Sequence, residues 1–539
     1  MVERVVRVRW LVVGGYLLLT VGVIIVVGRQ IGTEIFPQIN GGQFQVRLRA
    51  PAGTQIRGTK AIALKALDII KREVGPTNVQ MTLGFIGVPP SEYPINLIYL
   101  WNGGPEDGVL QVQFKTGSGI RIGALEERLR QVFAAQLPGV RFSFAPSDIV
   151  SRVMSLGSPT PIEVEVRGPN LANDRAFAEK VRSRLQTLSA LRDVQFDQAL
   201  QYPTLNVRVN RQHAGVMGVT MADVSRSLVP ATSSSRFVVP LYWADPKSGI
   251  AYQIQVQMPQ ARMNSIEALK NTPISYGKHQ ALLLRNIARI TKGKAVGEYD
   301  RFNMQRMITV TANLAPGTDL GGAASQVARA LKALGKPPPK VTVAVRGQVV
   351  PLRQLLNGLR TGLILAAAAI FLLLAANFQS LKLSLIVVAT VPAALAGVVL
   401  ALWLTGTTLN VQSFMGTIMA VGVAVANAIL LVTFAERHRI AGAEADTAAI
   451  EGAQSRLRPI LMTSVAMIAG MLPMTLGLGE SGQQTAPLGR AVVGGLAAAT
   501  LATLLVLPAI FALVQARSHR RSASLDPDDP ESSLFSPAR

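Results

Sequence analysis

The chain has 539 residues, too many for one ordinary domain, and its 49% hydrophobic content with a mean hydropathy of +0.32 indicates a membrane protein with a large water-exposed part. The formal net charge of +23 is scattered without a nucleic-acid recognition motif, which favours a basic surface and membrane-flanking arginines over nucleic-acid binding. The absence of cysteine excludes disulfides and thiolate metal sites, and the four histidines show no ligand spacing, so metal or nucleophilic catalysis has no support.

The N-terminal segment predicts an uncleaved membrane anchor. Residues 1–8 include Arg4 and Arg7, and residues 9–28 form an apolar run long enough for one transmembrane helix. A signal peptide would have a shorter apolar core and a small-residue cleavage site, and neither is evident. The basic flank places residues 1–8 in the cytoplasm.

The segment that follows repeats a strand–helix–strand pattern four times. Two copies lie in residues 29–150, a third in 151–209 and a fourth in 303–350. Repeated βαβ units of this size favour ferredoxin-like subdomains in which helices cover one face of a sheet. The predicted elements are strands 43–49, 79–85, 109–114, 140–144, 161–167, 194–197, 204–209, 307–313 and 340–346, with helices 54–73, 122–136, 174–188 and 319–334.

Two of the copies have similar sequences at their first turn, which indicates internal duplication. The sequence APAGT at Ala50–Thr54 recurs as LAPGT at Leu314–Thr318. Thr54 is predicted to cap the helix that follows it.

Residues 210–302 interrupt the repeats as an insertion. They contain a predicted β-hairpin formed by Ser235–Tyr242 and Ile250–Met258, around a turn rich in Asp, Pro and Gly. Tyr242 and Trp243 stand near this turn, either as exposed contact residues or packed on their own sheet.

Residues 356–516 predict a bundle of five further transmembrane helices. The distribution of arginine and lysine between and after these runs places the loops alternately on the cytoplasmic and the outer side of the membrane, with the large domain on the outer side. Residues 517–539 are predicted to be a disordered cytoplasmic tail. The predicted fold is therefore an α-helical membrane bundle of six helices, one plus five, with a large α+β periplasmic domain. The five predicted spans are 361–376, 383–404, 411–434, 459–478 and 491–516.

The span 411–434 contains one strongly polar side chain, Asn427. Thr417, Ala420 and Ala424 lie on the same helical face, which predicts that this helix is the centre of the bundle. The apolar interiors of the last five spans contain no Asp, Glu, Lys, Arg or His. Proton coupling needs a group that can titrate inside the bundle, and none is visible.

Several short motifs, in this order and spacing, resemble the resistance–nodulation–division (RND) efflux permeases. The chain is similar to the C-terminal half of the hydrophobe/amphiphile branch of that family, from about Arg7 to Gln515. The motifs are Phe36-Pro37 followed by Gly42-Gln43, residues 146–150 (PSDIV), 378–380 (FQS), 404–410 (LTGTTLN), 427–432 (NAILLV) and 456–464 (RLRPILMTS).

The resemblance implies a secondary transporter, not an enzyme, in the bacterial inner membrane. It would export amphiphilic or hydrophobic compounds such as drugs by proton antiport, with the proton motive force in place of any cofactor. The implied partners are the missing N-terminal half or a second permease subunit, further copies in a trimer, a periplasmic adaptor, an outer-membrane channel and membrane lipid. The insertion 210–302 would be a docking region, and Phe85, in a loop like the one bordering the family's drug pocket, could contact substrate or belong to the core.

The resemblance also identifies the relay positions. The family commonly has a lysine where this chain has Ala426, and the aspartate pair that takes up protons belongs to the other half. Asn427 and Thr463 match polar positions of the relay, although a polar group in a bundle can simply join helices, at about 0.6 kcal/mol on average. The chain by itself is therefore predicted not to be a proton-coupled pump.

Three alternatives remain open. The chain could be a non-transporting scaffold or truncated remnant of such a pump, motivated by the missing titratable group. It could be an accessory subunit of protein export, whose outer domain is smaller. It could also belong to the heavy-metal branch, although Met154, Met217 and Met221 are more often packing residues than ligands.

Overall fold

The structure is a computed structural model that describes residues 2–37, 42–88, 102–115, 117–145, 158–259, 261–276, 281–478 and 480–516. These residues fold as two compact units. The smaller is Gln198–Tyr299, and the larger contains the remainder. The predicted motif at 146–150, the tail 517–539 and Met154 lie outside the described residues.

Helices and strands are numbered here in chain order. The strands are β1 (Gln43–Arg49), β2 (Val79–Ile86), β3 (Asp107–Phe114), β4 (Arg141–Ala145), β5 (Ile162–Arg167), β6 (Leu191–Phe196), β7 (Tyr202–Val209), β8 (Leu241–Ala244), β9 (Ala251–Ile254), β10 (Pro273–Tyr276), β11 (Ala281–Leu283), β12 (Ala288–Ala295), β13 (Asp300–Phe302), β14 (Gln305–Leu314) and β15 (Thr342–Gly347). The helices are α1 (Val2–Arg7), α2 (Arg9–Val26), α3 (Ile56–Val74), α4 (Ile122–Gln136), α5 (Leu171–Gln186), α6 (Arg211–Val216), α7 (Met221–Thr232), α8 (Ile266–Lys270), α9 (Leu284–Ile287), α10 (Leu320–Ala333), α11 (Val349–Phe378), α12 (Leu381–Val388), α13 (Val391–Leu404), α14 (Val411–Ile440), α15 (Ala445–Thr475), α16 (Glu480–Leu501) and α17 (Leu507–Gln515).

The first two predicted copies share one four-stranded antiparallel sheet with the order β2–β3–β1–β4. Alternation along β1 points Phe44, Val46 and Leu48 into a core that also contains Leu129 and Phe133 of α4. The helices thus cover one face of this sheet. Thr54 does not cap α3, because its hydroxyl donates to the carbonyl of Pro51 and the N-cap position is Gln55.

The third and fourth copies also share a sheet, in which β13, β14, β5 and β15 follow one another and β6 pairs with β14. Ile162, Val164 and Val166 of β5 are fully buried on one face of the sheet. The intervening Glu163 and Glu165 are also buried, which a sheet with one face in water would not show.

The smaller unit has its own core around Leu284 and Ile287. The strand β7, predicted as an appendage of the third copy, pairs here with β12. The predicted hairpin is present but shorter than predicted: its strands are β8 and β9, and Ser235–Phe237 is a 3₁₀ turn. Its side chains are outside the core, since Tyr242 is 66% exposed and Trp243 50%.

In the part of the chain that the structure describes, six helices are long and apolar enough to cross a membrane. They are Arg9–Gln30, Val349–Phe378, Leu381–Leu404, Val411–Ile440, Ala445–Thr475 and Gly482–Gln515. Most exceed the predicted spans, because helices continue into water: α14 is about 45 Å long at 1.5 Å per residue, against a hydrocarbon core of about 30 Å. Residues 480–489, predicted as loop, are helical.

The third of these helices is interrupted between α12 and α13, and a tyrosine side chain forms hydrogen bonds to the backbone at the interruption. The Tyr16 hydroxyl donates to the carbonyl of Ala389 and accepts from the amide of Ala393, at 2.7 and 3.1 Å. Pro392 stands at this break and lacks an amide of its own. Tyr16 therefore supplies hydrogen bonds where lipid could not.

Candidate functional site

Asn427 is buried near the middle of α14, and its contacts define a polar seam. Its side-chain amide donates to the Ser464 hydroxyl of α15 at 3.4 Å, and the Thr500 hydroxyl of α16 donates to the same oxygen at 2.8 Å. All three residues are at most 7% exposed. We call Asn427, Ser464 and Thr500 the polar seam; it joins three helices without a titratable group.

The chain adjoining the seam departs from α-helical geometry. Ala502–Val506 form a π-helical turn, and the hydroxyl of Thr503 within it is buried without a hydrogen-bond partner among the described residues. Single π turns inside α-helices occur frequently at functional sites. Hydrophobic periodicity does not predict this π turn, because such a turn changes the helical phase without requiring a particular residue.

Thr463 does not contact Asn427, although both were predicted relay positions. Thr463 lies on the exposed face of α15, and its hydroxyl donates to the carbonyl of Ile460 in its own helix. Its neighbour Ser464 takes the place beside Asn427. Successive residues of a helix are about 100° apart around the axis, which separates these two positions.

Ala426, the position of the missing lysine, lies on the opposite side of α14 from the bundle interior. It belongs to an exposed apolar stripe, defined by Met415, Met419, Gly422, Ala426 and Leu430. A methyl group added at Gly422 would meet nothing within 4 Å. The stripe is thus a smooth face with small residues near its middle, the kind of surface against which another helix can pack closely.

The C-terminal end of α14 contains a buried ion pair, in a segment that was predicted to be a loop. Arg439 donates to both carboxylate oxygens of Glu436 at 2.8 Å, and Gln515 adds a longer contact at 3.4 Å. Glu436 stands about 13 Å along the helix from Asn427, at 1.5 Å per residue. The two-pronged pairing ties this carboxylate to Arg439, apart from the seam.

Phe85, the predicted substrate-loop residue, is half-buried near the end of β2, opposite Val109 of β3. The Asn102 amide donates to the carbonyls of Phe85 and Gly87, at 3.4 and 2.9 Å. Phe85 thus lies at a strand end, close to residues 89–101, which the structure does not describe. Its role as a substrate-contacting residue stays a prediction.

A charged network that was not predicted from the sequence joins the two sheets of the larger unit. Arg49 of β1 binds Asp107 at 2.6 and 2.9 Å and donates to the carbonyl of Asp197 at 2.6 Å, while Arg47 binds the Asp197 carboxylate at 2.9 Å. Alternation places these arginines on the face of β1 away from the helices. Charged residues at every second position, as in QFQVRLR and PIEVEVR, were the available signal.

Glu163 is part of the same network. Burial raises the pKa of its carboxyl to about 8, and the neighbouring Asp197 carboxylate adds to the rise. The folded protein therefore keeps a proton there that the unfolded chain releases near its ordinary pKa of 4.5. Stability conferred by this proton is complete below that value and is lost as the pH rises toward 8.

Between about pH 6 and pH 8.5, the free energy of unfolding is expected to fall by about 2.5 kcal/mol through Glu163 alone. The Glu163→Gln variant keeps the shape of the side chain without its titration and should lose most of that pH dependence. Chemical denaturation of both proteins at the two pH values measures the difference. A pH dependence unchanged by the substitution would contradict the assignment.

Among the described residues, no group of three or more His, Asp or Glu side chains is arranged to hold a metal ion. Met217 and Met221 are exposed in the smaller unit.

The chain matches known transport proteins over most of its length. The model of the AcrB/AcrD/AcrF family matches residues 1–515. The chain is 28% identical over 400 residues to the cobalt-zinc-cadmium resistance protein CzcA of Cupriavidus metallidurans, covering 73% of this chain and 37% of that protein. It is 25% identical over 510 residues to the protein HelA of Legionella pneumophila, covering 93% and 47%.

A solved structure agrees with these matches. The crystal structure of a heavy metal efflux pump superposes with a TM-score of 0.82 at 26% identity, covering 96% of this chain and 51% of that one. The chain thus spans about half the length, or less, of the proteins it matches. The chain is also 28% identical over 400 residues to the nickel and cobalt resistance protein CnrA of Cupriavidus metallidurans, covering 72% of this chain and 36% of that protein. CzcA and CnrA are metal-resistance proteins, so they do not support the hydrophobe/amphiphile branch predicted from the sequence.

Proposed function

The chain belongs to the AcrB/AcrD/AcrF family of RND permeases, and from that membership we propose that it works as one six-helix half of an export permease driven by protons. The family consists of inner-membrane, multi-pass transporters, which fits the six apolar helices. The half would act with a partner half that carries titratable carboxylates inside its own membrane helices.

The single observation that carries this proposal is the neutral polar seam. Hydrogen bonds among Asn427, Ser464 and Thr500 link three helices, but none of these side chains can take up and release a proton near neutral pH. Coupling therefore requires titratable groups from elsewhere. The exposed stripe around Ala426 offers the face against which a partner helix would bring them.

For the cargo, we propose divalent metal cations first. The support is the role of the relatives CzcA and CnrA in resistance to cobalt, zinc, cadmium and nickel. Ligands for such ions would come from the partner half or from the assembled periplasmic cleft. Export of amphiphilic compounds is the second candidate, favoured by an open cavity at the domain-side ends of the spans whose lining includes both apolar and charged side chains.

The remaining parts of the assembly follow from the same proposal. The two sheets of the larger unit would be porter subdomains of ferredoxin-like type on the periplasmic side, and the strand order β2–β3–β1–β4 supports that assignment. The smaller unit would dock toward an outer-membrane channel. A trimer, with an adaptor protein, would complete the pump.

Metal tolerance in a bacterial host lacking its own exporters tests the proposed cargo. Cells producing the chain together with a six-span partner half are expected to survive higher Zn²⁺, Co²⁺ or Cd²⁺ and to contain less of the metal. Asn427→Ala should reduce this tolerance, whereas Thr463→Ala, on the exposed face, should leave it nearly unchanged. Tolerance that never exceeds that of the partner half alone would favour the scaffold alternative, and dye efflux without metal tolerance would favour amphiphilic cargo.

The hairpin of the smaller unit is expected to make an assembly contact. Trp243 and Tyr252 face each other across the strands with ring centroids 6.1 Å apart, and Tyr242, Trp243 and Tyr252 are all at least half exposed. Exposed aromatic clusters of this kind mark protein–protein contacts. The double variant Tyr242→Ser, Trp243→Ser should shift the purified protein from oligomer toward monomer in native mass spectrometry, by about tenfold in the dissociation constant.

The control for the hairpin is Val216→Ser, which removes another exposed apolar residue, 84% exposed, from the same unit. It should leave the oligomer unchanged. An oligomer equally stable in the hairpin variant would show that these aromatic residues do not bind a second copy.

A further inference from the structure

An open cavity of about 690 Å³ lies at the domain-side ends of the membrane helices, within the larger unit. The segment after α2, the loop between α13 and α14, the turn before α10 and the start of α16 enclose it. The segment after α2 is fixed in place, since the amide of Leu409 donates to the carbonyl of Gly32 and the amide of Glu34 to the carbonyl of Leu409, at 2.8 and 3.0 Å. The cavity thus has walls held by backbone hydrogen bonds. It does not depend on a single mobile loop.

Arg490 of α16 is the cation of this cavity. Its Nη1 donates to the Thr407 hydroxyl at 2.6 Å and its Nε to the carbonyl of Thr475 at 3.1 Å. Both partners are neutral, and Arg490 forms no ion pair with any described residue. The two bonds orient the guanidinium while its remaining N–H donors stay available for an anion.

The cavity also contains negative charge and an edge that faces lipid. Glu34, which accepts from the Thr408 hydroxyl at 3.1 Å, and Asp319, the N-cap of α10, both line it. Trp403 and Leu476 line the same cavity at the ends of two membrane helices and are 46% and 65% exposed. Large exposed apolar side chains at the end of a span face acyl chains, and tryptophan favours the membrane interface.

These features complement one class of ligand. The phosphate of a phosphate ester would bind the guanidinium of Arg490, and an amine would bind the carboxylates of Glu34 and Asp319. Acyl chains would pack against Trp403 and Leu476 at the lipid-facing edge. A ligand with a second negative charge would be repelled by Glu34 and Asp319. We propose that this cavity binds a zwitterionic phospholipid of the ethanolamine type, through its phosphate on Arg490. The same cavity supports amphiphilic cargo as the second candidate above, but binding of this lipid is measured without transport, whichever cargo the permease exports.

Native mass spectrometry of the full chain in detergent tests this proposal. Phosphatidylethanolamine is expected to bind the wild-type protein and to bind Arg490→Gln about tenfold or more weakly, because a charge-assisted contact to phosphate is lost. Thr407→Val, which keeps the charge but removes one of the bonds that orient it, should weaken binding by a smaller factor. Arg211→Gln, with the same loss of charge on the smaller unit, should bind as wild type does.

Three further probes distinguish the sources of the ligand chemistry. Diacylglycerol, which has the acyl chains without phosphate, and inorganic phosphate, which has the anion without the chains, should each fail to show Arg490-dependent binding. Phosphatidylglycerol should bind more weakly than phosphatidylethanolamine. Binding of phosphatidylethanolamine that is unchanged in both Arg490→Gln and Thr407→Val, or equal Arg490-dependent binding of phosphatidylglycerol or of inorganic phosphate, would overturn the proposal.

Discussion

Replacing Gly494 by alanine is expected to destabilise the membrane bundle by about 3 kcal/mol, at the upper end of the usual cost of overpacking. Gly494 lies where α16 crosses α13. A Cβ atom there would overlap the Cβ of Ala401 and lie 2.6 Å from the carbonyl oxygen of Gly397. Because the obstacles include backbone, the helices themselves would have to separate. Reversible unfolding in mixed micelles, followed by circular dichroism, measures the loss.

Gly470→Ala is the matched control for this prediction. Gly470 lies inside α15, where an added Cβ meets nothing within 4 Å. Alanine should stabilise that helix slightly, by up to about 1 kcal/mol, through its higher helix propensity. If Gly494→Ala and Gly470→Ala proved equally stable, the close crossing of α13 and α16 would not be what holds the bundle together.

Removing the carboxylate of Asp193 is expected to cost about 3–5 kcal/mol, the range for breaking a buried ion pair. Arg130 of α4 binds both oxygens of Asp193 at 2.9 and 3.0 Å, and Asn313 of β14 donates to it at 2.9 Å. The carboxylate thus ties the first sheet's helix to the second sheet. Asp193→Ala would leave the Arg130 guanidinium partly buried without its bidentate partner, with Glu127 and Glu126 as the remaining nearby carboxylates. Urea denaturation monitored by circular dichroism in the far ultraviolet provides the measurement.

Two variants separate this network from surface effects. Asp193→Asn retains hydrogen bonding and tolerates the left-handed backbone at this position, φ 53°, so it isolates the charge. Glu179→Ala removes one partner of an exposed pair with Arg182 and should cost no more than about 1 kcal/mol. A loss for Asp193→Ala as small as that for Glu179→Ala would argue against a structural role for the network.

Local pattern was enough to predict much of the fold. The strand Gln43–Arg49 and the helix Ile122–Gln136 have the bounds that their periodicities indicate, because alternation and amphipathicity are properties of neighbouring residues. Pairing across copies was not predictable in this way. That β5 stands between β14 and β15, or that β7 pairs with β12, depends on contacts far apart in the sequence.

The candidate site shows the same difference between what local sequence predicts and what depends on contacts between helices. Hydropathy and composition indicated a buried polar position at Asn427, since an asparagine inside a span needs a partner. Its partner Ser464, rather than the adjacent Thr463, depends on the rotation of α15 about its axis, which sequence does not fix within one residue. Arg490 escaped notice because the predicted loop ended at Gly489 and the predicted span began at Ala491, so the boundary between them left the residue unassigned.

We propose that the polar seam cannot couple transport to protons without titratable groups from a partner half. Flux measurements in proteoliposomes under an imposed pH gradient test it most directly, with Zn²⁺ and an amphiphilic dye as probes and with the folded state of the reconstituted protein verified by circular dichroism. We expect that the chain alone gives no flux above protein-free vesicles and that flux begins when a partner half with intramembrane carboxylates is reconstituted beside it. Sustained gradient-driven flux of either probe by the chain alone would contradict the claim.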